Sequence, residues 1–219
     1  MRIIAGIFKG RTIQAVPGRQ CRPTTDRVRE AWASSISSIL EESCPGGSGE
    51  GDGSLNGLNG ARVLDAFAGS GALGLELLSR GAESCLFVEK SRAAEAVLRG
   101  TIADLRLSSQ QARVCRADSL ALPPAFCLRE ARPFDLVVLD PPYAVPESAV
   151  SGLLDALSRV GLLTERALIS YEHAASGHDA RDGLLIVGSS EQARLELVRH
   201  RKYGSIAIDY YRYLGSGCV

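Results

Sequence analysis

The spacing of apolar positions along this chain switches repeatedly between strand-like runs and a helical period. From Ala61 onward, Arg62 to Ala66, Ser84 to Glu89, Ala112 to Ala117, Phe134 to Asp140 and Ala167 to Glu172 carry the short, apolar runs of strands. Between them, Ala72 to Ser79, Ala93 to Leu105 and Ser148 to Val160 place apolar residues at helical spacing. This alternation predicts an α/β fold with a largely parallel sheet and right-handed crossovers. The end of the chain departs from it. Leu195 to Arg201 and Ile206 to Leu214 flank Tyr203-Gly204 as a hairpin, which predicts an antiparallel element at the end of the sheet.

Ahead of this region the pattern is different. Ile3, Ile4, Ile7 and Phe8 precede a Lys9-Gly10-Arg11 turn, and Ile13 and Val16 follow it, which predicts a small β-hairpin. Thr24, Thr25 or Asp26 can then cap a helix whose apolar positions Val28, Trp32, Ile36 and Leu40 recur every fourth residue. Ser43 to Gly60 is rich in glycine and serine and has no period, as expected of a flexible linker. The chain thus divides into a hairpin and helix over residues 1–42, a linker over 43–60 and a main domain over 61–219.

Charge changes the picture only locally. The 219 residues hold 25 basic and 25 acidic side chains, so global charge neither demands nor excludes nucleic acid. Met1 to Arg22, however, contains Arg2, Lys9, Arg11, Arg19 and Arg22 and no acid, a composition suited to phosphate or to a solvated edge strand. Arg22, Arg27 and Arg29 near the start of the predicted helix oppose its dipole, so a phosphate or a nearby acid is expected to meet them. The six cysteines are scattered, with no Cys-x-x-Cys pair and only three histidines, which argues against zinc and against a disulfide framework. Cys85 and Cys115 fall in strand-like runs and read as small buried hydrophobes. The first residues hold too few apolar positions for a signal-peptide core, and no later run reaches membrane-spanning length, so a cytoplasmic location is expected.

Two stretches carry candidate chemistry. Phe134-Asp-Leu-Val-Val-Leu-Asp-Pro-Pro-Tyr143 is an apolar run that stops at an acid, two prolines and an aromatic ring. Pro141 and Pro142 lack an N–H and end the strand, which presents Asp140 and Tyr143 at the carboxyl edge of the sheet, where open α/β sheets bind ligands. A carboxylate or a proline carbonyl accepts from an amine, and a tyrosine stacks on a planar base. Val63-Leu-Asp-Ala-Phe-Ala-Gly-Ser-Gly-Ala-Leu-Gly74 is a strand, a glycine turn and a helix start. Its Gly69-x-Gly71-x-x-Gly74 spacing alone also fits a nicotinamide oxidoreductase. Asp65 before the glycines can accept from a ligand's ammonium group while helix N–H groups hold its carboxylate. Glu89 can take ribose hydroxyls and Asp118 an adenine amine, although singly each also fits a surface acid or a turn cap. Together these acids outline S-adenosylmethionine.

On these residues the chain resembles class I S-adenosylmethionine-dependent methyltransferases, and most closely the bacterial 16S ribosomal RNA guanine-N2 methyltransferases that modify guanine 966. The resemblance is carried by Arg2-Ile-Ile-Ala-Gly6, Arg22-Pro-Thr-Thr-Asp-Arg-Val-Arg-Glu30, Asp65-Ala-Phe-Ala-Gly-Ser-Gly-Ala-Leu-Gly-Leu-Glu76, Ser79-Arg-Gly-Ala82 and Asp140-Pro-Pro-Tyr143, with Arg201-Lys-Tyr-Gly204 a weaker fifth piece. Ala33-Ser34 and Thr101 depart from the residues the family often has, and the linker resembles an insertion. The resemblance implies a Rossmann-like, seven-stranded, mostly parallel sheet with the antiparallel C-terminal hairpin, and a small basic N-terminal extension on RNA. Asp65, Phe67, Gly69, Ser70, Gly71, Glu89, Lys90, Asp118 and Ser119 are then expected around S-adenosylmethionine, and Asp140, Pro141, Pro142 and Tyr143 around the target amine. Arg2, Lys9, Arg11, Arg22, Arg27 and Arg29 are expected on 16S rRNA in a small ribosomal subunit or its assembly intermediate, with no metal and a monomeric protein. A DNA or protein amino methyltransferase shares Asp-Pro-Pro-Tyr and is the alternative; a non-catalytic RNA-binding module leaves the intact Asp65, Gly69, Gly71 and Asp140 unexplained.

Overall fold

A computed structural model describes residues 1–17, 25–42, 56–121, 131–175, 185–187 and 193–215. Strands β1 (Arg62–Asp65), β2 (Ser84–Val88), β3 (Ala112–Cys115), β4 (Phe134–Leu139), β5 (Leu163–Ala174), β6 (Leu185–Val187), β7 (Ala193–Tyr203) and β8 (Ile206–Tyr213) form one sheet in the order β3-β2-β1-β4-β5-β8-β7-β6. β1 to β5 pair in parallel and β8, β7 and β6 add antiparallel. Seven strands follow the expected arrangement. The short β6 pairs with β7 as an eighth at the edge, a strand that the apolar pattern had not marked.

Helices α1 (Asp26–Glu42), α2 (Ala72–Ser79) and α3 (Arg92–Asp104) share one core with Val63, Phe87, Leu136 and Leu168 of the sheet. Helix α4 (Glu147–Arg159) packs Val150, Leu153, Leu154 and Leu157 against Leu64, Val137 and Ile169 on the other face. Burial on both faces is why β4 reads as a continuous apolar run rather than an alternating one.

α1 buries Trp32, Ala33, Ile36 and Ile39, a stripe at three- and four-residue steps rather than every fourth residue. The Trp32 indole N–H donates to the Ser170 hydroxyl at 2.8 Å, fixing α1 to β5. The N-terminal segment contributes Ile3 and Ile13, both fully buried, to the same core. The expected hairpin reduces to a single antiparallel bridge between Arg2 and Thr12, with a wider turn than Lys9-Gly10-Arg11 and with Ile7 75% exposed. The segment is held from outside itself. Glu76, fully buried in α2, accepts from the Ile4 N–H at 2.8 Å, the Ala5 N–H at 3.1 Å and Arg80 Nε at 2.8 Å. Arg80 also reaches Glu30 of α1 at 2.8 Å.

Gly6 sits at φ +82°, and a Cβ there would lie 1.8 Å from the Ser79 carbonyl oxygen. Gly6→Ala is therefore expected to destabilise the protein by about 3 kcal/mol through overpacking and left-handed strain combined. Thermal unfolding checks this; an unchanged midpoint contradicts the close packing of the segment on α2.

Two expectations need correction. Of the proposed linker, residues 43–55 lie outside the described residues, but Asn56–Leu58 form a 3₁₀ turn and Leu58 is fully buried, so this end of the expected linker is part of the core. Cys85 is a buried free thiol, whereas Cys115 is disulfide-bonded. Scattered spacing gave no sign of that bond.

Candidate functional site

Strand order reverses between β1 and β4, and at such a point an open sheet leaves a crevice beyond its carboxyl ends. Carboxylates face this edge from one side of the sheet. Asp65 closes β1 in register with Val138, which is in register with Ser170 of β5. Asp140 and Glu172 follow two residues further along their strands and so share the face of Asp65.

After β1 the chain turns sharply: the Gly71 N–H donates to the Ala68 carbonyl at 2.7 Å and the Ala68 N–H to the Val88 carbonyl at 3.0 Å. Gly71 has φ +81°, and a Cβ there would meet Leu98 Cδ1 at 2.3 Å, so this turn requires glycine. The turn delivers the N-terminus of α2, with its unsatisfied N–H groups, to the crevice. Asp65 Oδ2 accepts from the Gly74 N–H at 3.1 Å, while the buried Oδ1 makes no hydrogen bond of ordinary geometry, the Phe67 N–H being the nearest donor to the carboxyl besides Gly74. Burial, against the Gly74 hydrogen bond and aided by the charges of Asp140 and Glu89, pushes the Asp65 carboxyl up to about 7. A buried acceptor left unpaired costs about 1–3 kcal/mol. A ligand ammonium group placed there relieves that cost and restores the charged carboxylate.

Beside the loop lies an open cleft lined by Phe67, Val88, Glu89, Lys90, Asp118, Ser119, Leu120, Pro142 and Val145, among others. Glu89 accepts from the Gly69 N–H at 2.8 Å and the Ser91 N–H at 2.7 Å, which fixes its carboxylate at the cleft. Asp118 accepts from the Leu120 N–H at 3.1 Å and lies 3.5 Å from Lys90 Nζ, so the turn-capping and ligand-facing readings coexist in one side chain. Ser119 lines the cleft, and its buried hydroxyl donates to the Ala66 carbonyl, joining the ends of β1 and β3. Ser70 is half-buried on the loop.

The Asp-Pro-Pro-Tyr turn forms the facing wall. Pro141 is buried, and Pro142 lines the cleft. The Pro142 carbonyl accepts from the Val145 N–H at 2.8 Å, which closes the turn. Tyr143 is 66% exposed, an unusual position for a large ring and a suitable one for stacking.

The basic residues divide. Lys9, Arg11 and Arg27 are exposed, with Arg11 Nη2 donating to the Asp104 carbonyl at 2.7 Å. The Arg2 side chain is 70% exposed and lies 3.4 Å from Asp26. Arg22 lies outside the described residues. Arg29 is corrected: at 1% exposure it donates to the Arg2 carbonyl at 2.8 Å and to Asp26 at 2.7 Å. A nearby acid and a carbonyl, not a phosphate, answer its place at the helix start.

Sequence reasoning gave no role to Glu76, Arg80 or Glu172. An acid inside the apolar run Leu75-Glu76-Leu77-Leu78 was the available signal for the first, since a fully buried carboxylate needs donors. Among the described residues no group of His, Cys, Asp or Glu is arranged to hold a metal, and no helix is long and apolar enough to cross a membrane.

Known proteins are similar to this chain over most of its length. Ribosomal RNA small subunit methyltransferase D of Escherichia coli strain K12 is 30% identical over 217 residues, covering 99% of this chain and 92% of its own. Its namesake from Haemophilus influenzae is 32% identical over 160 residues, covering 71% of each chain. The solved structure of Escherichia coli yhhF superimposes with a TM-score of 0.70 at 29% identity, covering 98% of both chains. The match of a family pattern to residues 1–212 takes in the clamped N-terminal segment, the glycine loop and the Asp-Pro-Pro-Tyr turn together, and the chain belongs to the family described as Conserved hypothetical protein 95.

Proposed function

We propose that this protein transfers a methyl group from S-adenosylmethionine to the exocyclic N2 amine of a guanine in 16S rRNA, of the guanine 966 type, on a small ribosomal subunit or its assembly intermediate. The observation that carries this reading is Asp140 two residues beyond the row that holds Asp65, close enough for its charge to act on Asp65, in a turn whose Pro142 lines the glycine-loop cleft. The names of the relatives support the substrate class.

Asp65 holds the ammonium group of the cofactor, the α2 N-terminus and the Gly69 to Gly71 backbone its carboxylate, Glu89 its ribose, and Phe67, Lys90 and Asp118 the adenosine end. S-adenosylmethionine supplies an electrophilic methyl group on a sulfonium. The guanine N2 lone pair is delocalised into the ring and attacks poorly until the amine is held. Asp140 and the Pro141 carbonyl accept its two hydrogens and aim the lone pair, Pro142 stiffens the turn, and Tyr143 stacks on a base turned out of its surroundings. The amine proton leaves through Asp140 or water.

Residues 1–42 act as an RNA-gripping extension of the catalytic domain, using Arg2, Lys9, Arg11, Arg22 and Arg27 on phosphates. The protein works as a monomer in the cytoplasm. Exchanging Lys9 and Arg11 for alanine is expected to weaken RNA binding and to lower the slope of log affinity against log salt by about 0.9 for each phosphate no longer neutralised. Affinity titrations at several salt concentrations check this, and an unchanged slope removes these side chains from the interface. Methyl transfer offered DNA, a protein extract, free rRNA and small subunits tests the function as a whole. Transfer confined to rRNA substrates is expected, and transfer to DNA or protein alone overturns it.

A further inference from the structure

Glu172 is a half-buried carboxyl at the sheet edge, and no described residue gives it a hydrogen bond. Tyr171 pairs in register with Leu139, so Glu172 stands next to Asp140 on the adjoining strand, about 4.8 Å away at the backbone. Its register partner on β8 is the buried, apolar Ile208. On the same face, Ser170 is occupied by the Trp32 indole of α1, and the buried Arg29 of α1 gives Nη2 to Asp26 and the Arg2 carbonyl while its Nε and Nη1 are buried without a hydrogen bond. His173, next along β5, points to the opposite face and is bound at 3.1 Å to Asp209, which His200 also holds. Two acids therefore adjoin at the carboxyl edge of the sheet.

We infer that Glu172 is a specificity-determining residue that pairs, as a neutral carboxylic acid, with the N1–H and O6 edge of the guanine whose N2 amine Asp140 holds. The inference rests on the guanine-N2 reading. Guanine presents an acceptor at O6 and donors at N1 and N2 in a row. A protonated Glu172 gives a donor to O6 and a carbonyl to N1–H, and Asp140 accepts from N2. Ionised Glu172 would set a negative oxygen against O6 instead. Adenine has no amine at C2 for Asp140 to hold.

The protonation state follows from the surroundings. Burial first, and then the Asp140 charge, push Glu172 up to about 8, with His173 opposing. A group raised in this way keeps its proton at neutral pH and loses it as pH rises through about 8. Glu172 keeps that proton through the reaction, because the amine proton leaves by Asp140 or water.

The test is kcat/KM for methyl transfer to unmodified small subunits from about pH 6 to about pH 9, at saturating S-adenosylmethionine, for the unchanged protein, Glu172→Gln and Glu172→Ala. Cofactor affinity is measured on each. The unchanged protein is expected to slow as pH rises through about 8. Glu172→Gln, whose amide offers the same donor and acceptor, should stay within about threefold at neutral pH and lose the alkaline fall. Glu172→Ala should fall about 5- to 150-fold, the worth of a two-bond base contact. A Gln variant as slow as Ala with cofactor binding intact overturns the inference, as does an alkaline fall that persists in Gln. Loss of cofactor binding in both variants assigns Glu172 to the fold and also overturns it. Failure of the unchanged protein to methylate any guanine is a different result, which removes the guanine reading itself.

Discussion

Asp140→Ala is expected to lower kcat by about 10²- to 10⁴-fold while leaving S-adenosylmethionine affinity within about threefold. The separation follows from position. Asp140 follows β4 at the mouth of the site, two residues beyond the row that holds Asp65, and the cleft beside the glycine loop does not include it in its lining. The reaction gains from Asp140 only by the fixing of an amine, and alanine leaves that amine planar and mobile. Asp140→Asn should be as slow, because an amide can turn a donor towards the amine it must accept from. Single-turnover rates and equilibrium cofactor binding on the same preparations check both. A parallel loss of rate and cofactor affinity contradicts the role.

Asp65→Asn is expected to produce the opposite separation, raising the S-adenosylmethionine Kd by about 10- to 100-fold through loss of a charge-assisted hydrogen bond. The same carboxyl makes affinity depend on pH. Burial pushes it up to about 7 in the ligand-free protein, and the ammonium group needs it ionised, so affinity should fall as pH drops below about 7 and the variant should lack that dependence. Stability moves the other way. A folded carboxyl raised above its unfolded value of 3.8 binds more protons than the unfolded chain between 3.8 and about 7, so ligand-free stability falls as pH rises through that window. Asp65→Asn removes this loss, and should raise the ligand-free melting temperature at neutral pH while weakening the cofactor. Calorimetric titration and thermal unfolding across pH measure both effects; a pH-independent affinity in the unchanged protein contradicts the ammonium assignment.

Most of the parallel sheet was legible because each strand buries both faces and each helix carries its own period. Leu136 to Leu139 could be read directly, and the stop at Pro141 and Pro142 placed the turn at the crevice. Asp65, Glu89, Asp118 and Asp140 were legible for a related reason, since each follows an apolar run at a strand end. What escaped depends on contacts between distant segments. Arg29 looked like a phosphate ligand because a helix start disfavours a cation, yet the fold turns it inward onto Asp26 and the Arg2 carbonyl. Glu76 looked like one more helical glutamate until the Ile4 and Ala5 N–H groups reached it across more than seventy positions of sequence. Glu172 gains its meaning from the register of β5 on β4, which no single strand reveals. Ser119 showed the converse, a hydroxyl at the cleft that also donates to the Ala66 carbonyl within the fold.

The central claim is tested most directly by incubating the protein with methyl-labelled S-adenosylmethionine and small subunits lacking the modification, then digesting the rRNA and mapping label by nucleotide and by atom. The account predicts label on the N2 amine of one guanine, absent with Asp140→Ala. Label on another atom or another base, or none despite intact cofactor binding, contradicts it.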